Sequence, residues 1–132
     1  MQGGYAPAVP ASIRQYTVDG LDDVQVVAII GDLDLDSAAQ LREALAGLVE
    51  RGVTRIVVDL GDLRFCDSTG LSVLITTQLR CRRDGGFLRL AAPGPAMRRL
   101  LAVVGVADHV TAFETVRAAA SADLSQQLRP YA

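Results

Sequence analysis

Asp67, Ser68 and Thr69 place one carboxylate and two hydroxyls in a row, immediately before an apolar-periodic run that begins at Gly70-Leu71. Upstream, Arg55-Ile56-Val57-Val58-Asp59-Leu60 reads as a buried strand, so the polar trio falls on a strand-to-helix junction. Unpaired helix N–H groups and the positive end of the helix dipole converge at such a junction. Two chemistries fit there. One of the three residues can cap the helix through an early amide, worth ~1 kcal/mol. Alternatively a hydroxyl accepts a phosphate, whose roughly −1.5 to −2 charges the helix amides would tolerate. Spacing alone leaves both open.

Catalytic readings fail on missing partners. A nucleophile elbow needs G-x-S-x-G, whereas Cys66-Asp67 precede Ser68 and only Gly70 follows. The single imidazole, His109, sits at the start of a late strand and reads as structural. Asp59 and the Asp32/Asp34 pair suggest an aspartyl-phosphate receiver, but that chemistry wants a compact ammonium and the chain has no lysine. No phosphate-binding glycine loop follows a strand, and Gly85-Gly86 terminates a helix. Cys66 and Cys81 form no CxxC pair and read as small packed thiols. Neither a metal site nor a cofactor is expected. Arg80, Arg82 and Arg83 close the second helix, where they complement its dipole or face a partner.

The elements that must position these residues follow from periodicity. Ser12 to Val18 and Val24 to Ile30 read as strands joined by the turn signal Asp19-Gly20. The second is nearly all apolar, which predicts burial on both faces. A helix is predicted from about Asp36 to Arg51, with Ser37 and Gln40 at capping-box spacing and Ala38, Leu41, Leu45, Leu48 and Val49 inward. Val53 to Leu60 is the central strand. Leu71, Leu74, Ile75 and Leu79 form the inner face of the second helix. Phe87 to Ala91 is a short strand, and Pro95 opens a third helix that carries Met97, Leu100, Leu101 and Val104 and stops at Gly105. His109 to Phe113 is the last strand and Glu114 to about Leu128 the last helix. The order ββαβαβαβα predicts one α/β domain: a mixed, mostly parallel five-stranded sheet, an N-terminal antiparallel hairpin and about four helices. Residues 1–10 read as a flexible arm, 11–121 as the folded domain and 122–132 as a polar tail.

Composition narrows the partners. With 132 residues, 50% hydrophobic but only 5% aromatic, the chain must build its core from aliphatic side chains. A net charge of −2 offers no basic field for nucleic acid. No apolar run nears the ~20 residues of a membrane span, so no membrane insertion is expected. Met1 to Tyr5 lacks a signal-peptide pattern, which makes a cytoplasmic protein the expectation.

Taken together, Gly31-Asp32-Leu33-Asp34 after the second strand, Val57-Val58-Asp59-Leu60 in the central strand and Phe65-Cys66-Asp67-Ser68-Thr69-Gly70-Leu71 opening a helix resemble the STAS domain. More narrowly, they resemble the bacterial anti-sigma factor antagonists, over about Ser12 to Ala120. Cys66 stands where methionine is usual, and Ser72 where glycine is common. The resemblance implies a protein without catalytic residues that binds an anti-sigma factor with serine-kinase activity and so releases a sigma factor. It further implies that the kinase phosphorylates Ser68, with Thr69 the second candidate, and that a PP2C-type phosphatase restores the active form. Asp34, Asp67, Ser68, Thr69, Gly70 and Leu71 then mark the partner-binding region. The runner-up is a non-switching STAS scaffold or transporter-associated subunit, of stressosome or lipid-transport type.

Overall fold

Strand β2 (Leu21–Leu33) organises the structure, a computed structural model that describes residues 11–103 and 109–128. Its 13 residues are long enough to take three partners. β1 (Ser12–Val18) returns along one edge as an antiparallel hairpin, with Ser12 opposite Ile30. On the other edge, Gln25 to Ala28 pair in parallel with β3 (Arg55–Asp59). Gly31 to Leu33 then pair in parallel with β4 (Leu63–Cys66). Beyond β3 the sheet continues in parallel through β5 (Phe87–Ala91) and β6 (Thr111–Phe113), and β7 (Gln127–Leu128) adds antiparallel to β6. The order is β1-β2-β3-β5-β6-β7, with β4 off that path beside β2.

Among the described residues four α-helices cover the sheet: α1 (Leu35–Glu50), α2 (Ser68–Arg83), α3 (Pro95–Val103) and α4 (Val116–Ser121). Side chains alternate across each strand, so one strand feeds two cores. β2 sends Val27 and Ile29 into a core with Leu41, Leu45 and Leu48 of α1, Leu71 and Leu74 of α2, and Leu101 of α3. It sends Val24 and Val26 the other way, to Phe113 and Ala118 to Ala120 of α4. β3 divides likewise, Ile56 and Val58 against Val57. Helices on both faces explain why β2 reads as an almost unbroken apolar run.

The α/β class, the hairpin, the parallel crossovers and the four helices agree with the sequence reading, but among the described residues the sheet has seven strands rather than five. The two additional strands are β4 and β7. The last helix ends at Ser121 instead of near Leu128, because Ala122 adopts a left-handed conformation at φ 56° and Asp123 caps a following 3₁₀ turn over Leu124–Gln126. The polar segment expected to trail from residue 122 thereby returns to the sheet and buries Leu128. Leu79 is also displaced from expectation. Gly70, Leu71, Val73, Leu74, Thr77 and Cys81 form the buried face of α2, and at about 100° per residue Leu79 points away from it, 46% exposed. The strand expected from His109 begins at Thr111, as β6, with His109 exposed in the turn before it. The arm at 1–10, and Val104 and Gly105 at the predicted end of α3, lie outside the described residues.

Candidate functional site

The two separated sequence elements meet at the carboxyl end of β2. Gly31 has φ 101°, a conformation that a side chain disfavours, and it stands where the β2 register shifts and its partner changes from β3 to β4. Its amide donates to the Asp62 carbonyl at 3.1 Å. Asp32 then lies opposite Phe65, and Leu33 opposite Cys66. The Asp67 amide donates to the Leu33 carbonyl at 3.2 Å, which stitches the start of α2 to the start of α1. Gly31 to Asp34 and Phe65 to Leu71 thus form one surface.

Each helix at this surface is capped by an aspartate. Asp34 precedes α1, and its Oδ1 accepts the amides of Asp36 and Ser37, both at 3.1 Å. Ser37 Oγ accepts the Asp34 amide in return at 2.9 Å, completing a capping box. The box therefore joins Asp34 to Ser37, one turn earlier than the predicted Ser37 and Gln40. Hydrogen bonds from Ser37, backbone first and hydroxyl second, hold the Asp34 carboxyl below its ordinary pKa. Asp67 precedes α2, with φ −97° and ψ −178°, and its Oδ1 accepts the Gly70 amide at 3.1 Å. Capping of α2 therefore belongs to Asp67. Ser68 is the first helical residue and is exposed, whereas Thr69 is half-buried.

Gly70 and Leu71 fix how deeply α2 sits. A Cβ on Gly70 would lie 2.6 Å from Leu33 Cδ2 and 3.1 Å from Cys66 Sγ, so only glycine lets the helix approach this closely. Leu71 is 2% exposed, within the core. These two residues position the helix rather than present side chains to a partner. Outward in this stretch are Phe65 and Ser68, the serine beside the partly exposed Asp67 and Thr69.

The remaining acids and thiols are occupied structurally. Asp59 accepts the Tyr16 hydroxyl at 3.1 Å and the Gly61 amide at 3.0 Å. Asp32 is buried, with Arg64 Nε 3.7 Å from its Oδ1. Among the described residues no cluster of three His, Cys, Asp or Glu side chains could hold a metal. Burial, reinforced by the Asp67 charge, pushes the Cys66 thiol up to about 12, so it stays protonated and donates to the Asp67 carbonyl at 3.3 Å. Cys81 is fully buried. No described helix is long and apolar enough to cross a membrane.

A family model described as "Mlab, STAS domain" matches residues 16–117. An anti-sigma-B factor antagonist of Bacillus subtilis is 37% identical over 87 residues, covering 66% of this chain and 78% of that protein. This chain is a STAS domain of the anti-sigma factor antagonist family. Anti-sigma-F factor antagonist RsfB of Mycobacterium tuberculosis is 32% identical to the STAS domain over 109 residues, covering 83% of this chain and 88% of the relative. A crystal structure of an anti-sigma factor antagonist from Mycobacterium paratuberculosis superposes on the STAS domain with a TM-score of 0.76 at 27% identity, over 88% of this chain and 97% of that one.

One exposed residue of the STAS domain's surface escaped the sequence reading as a surface feature. Phe65, on β4, is 54% exposed and rims a cavity of about 340 Å³ with Pro95, Met97 and Leu100 of α3. The signal was the alternation Leu63-Arg64-Phe65-Cys66, too short to register as a strand.

Proposed function

We propose that this STAS domain is a cytoplasmic anti-sigma factor antagonist that acts as substrate and switch, without catalysis of its own. Unphosphorylated, it binds an anti-sigma factor that is also a serine kinase. Phosphorylation of Ser68 ends that binding, and a PP2C-type phosphatase restores it. The observation that carries the reading is the exposed Ser68 hydroxyl at the first turn of α2, with capping already supplied by Asp67. A kinase can take Ser68 without undoing the helix start, and the positive end of the dipole tolerates the added charge. Its neighbour Thr69 is less accessible, which supports Ser68 over Thr69 as the acceptor. The named relatives, antagonists of anti-sigma factors, support the partner class.

The switch follows from charge. Asp67 adjoins Ser68 and Asp34 caps the helix whose start is bonded to that of α2, so a phosphate of about −1.5 to −2 charges concentrates negative potential on a surface the partner must desolvate. Incubation with the cognate kinase and ATP is expected to add one phosphate, read by intact-mass measurement, and Ser68→Ala is expected to add none. Full labelling of Ser68→Ala would overturn the assignment. An unlabelled wild type that instead co-purifies with a membrane transporter would place the protein with the non-switching STAS subunits.

A further inference from the structure

We propose that the groove between α1 and α2 docks an acidic segment of the partner protein, whose carboxylates are held by Arg42 and Arg80. The identity of that partner rests on the phosphoswitch reading; the charge of the groove does not. The groove, about 290 Å³, is lined along α1 by Arg42 and Ala46 and along α2 by Ser72, Thr76 and Arg80. Both rows run at four-residue spacing, so each lies along one side of its helix. Small side chains at Ala46 and Ser72 leave the space between the rows unfilled. The floor, at Val73 and Thr77, offers no side-chain donor to a carboxylate, since the Thr77 hydroxyl already donates to the Val73 carbonyl at 2.8 Å.

Charge selects the occupant. Among the described residues the ion pairs are Arg55 with Asp23 and Arg64 with Asp32, and neither Arg42 nor Arg80 joins one. No acidic residue lines the groove, although the protein carries a net charge of −2. Two guanidinium forks beside two hydroxyls match carboxylates, which arginine binds bidentately. A basic segment would meet like charge on both walls. Ser68 lies four residues before Ser72 on the same side of α2, about 6 Å along the axis. A phosphate there would stand at the mouth of the groove and repel an acidic segment, so groove and switch act together.

The test uses the intact protein and a fluorescein-labelled peptide with Glu at every fourth position in an alanine background, beside its Lys counterpart. The Glu peptide is expected to bind with an affinity that falls as salt rises, and the Lys peptide to fail. Arg42→Glu combined with Arg80→Glu is expected to weaken Glu-peptide binding at least about tenfold. Arg42→Gln with Arg80→Gln should give a smaller loss with an unchanged far-UV spectrum, which separates charge from folding, and Arg14→Glu on β1 should change nothing. Equal binding of the two peptides, or an unaltered affinity in the double reversal, would overturn the proposal. So would failure of the Glu peptide alongside binding to phosphatidylglycerol vesicles that the double reversal abolishes. Ser68 labelling reads the switch independently, so either idea can fail alone.

Discussion

At the scale of single residues, the decisive division of labour is between Asp67 and Ser68. Three adjacent residues can all cap a helix, so their order in the sequence does not say which one does. The backbone decides: Asp67 is extended and Ser68 already helical, which assigns the cap to the carboxylate and turns the hydroxyl outward. The same ambiguity misplaced the cap of α1, where Ser37 and Gln40 matched the pattern but Asp34 holds the position. That cap gives a pH dependence with a defined sign. Hydrogen bonds to the Asp34 carboxylate lower its folded pKa below the ordinary value of 3.8, so the stabilisation is present above that pH and is lost as pH falls through the folded value. The urea midpoint should therefore decline below about pH 4. Asp34→Asn, which still caps but does not titrate, should flatten part of that decline; an identical profile would remove Asp34 from the account.

At the scale of elements, β4 is the piece that assembles the site and the piece least visible in the sequence. It is four residues long, follows the Gly61-Asp62 turn and has Arg64 and Phe65 exposed, so it is too short for its alternation to betray a strand. It forms because β2 outruns β3 and leaves Gly31 to Leu33 without a partner on that edge. Gly31 makes the change of partner possible. Gly31→Ala should cost about 1–3 kcal/mol, since φ 101° is unfavourable for any L side chain. Urea unfolding would measure the loss, and an unchanged midpoint would show that the bulge does not depend on glycine. The end of α4 was hidden for a similar reason. Ala118, Ala119, Ala120 and Ala122 have high helix propensity, and the left-handed turn at Ala122 directs the chain back to pair β7 with β6.

At the scale of the molecule, the fold was legible because its main strands are apolar on both faces and its main helices keep one inward row, as in Leu41, Leu45 and Leu48. Local patterns sufficed for those elements. The site was legible as two short motifs but not as a surface, because their union depends on a strand pairing between residues far apart in sequence. Once joined, they leave Ser68 exposed, with Gly70 and Leu71 buried after it in α2. The central claim is that a phosphate on this one hydroxyl controls partner binding. Isothermal titration of the cognate anti-sigma kinase with the unphosphorylated protein, and with the same protein carrying one phosphate on Ser68, tests it most directly. The phosphorylated protein should bind at least about tenfold more weakly, or not at all. Equal affinity for the two forms would contradict it.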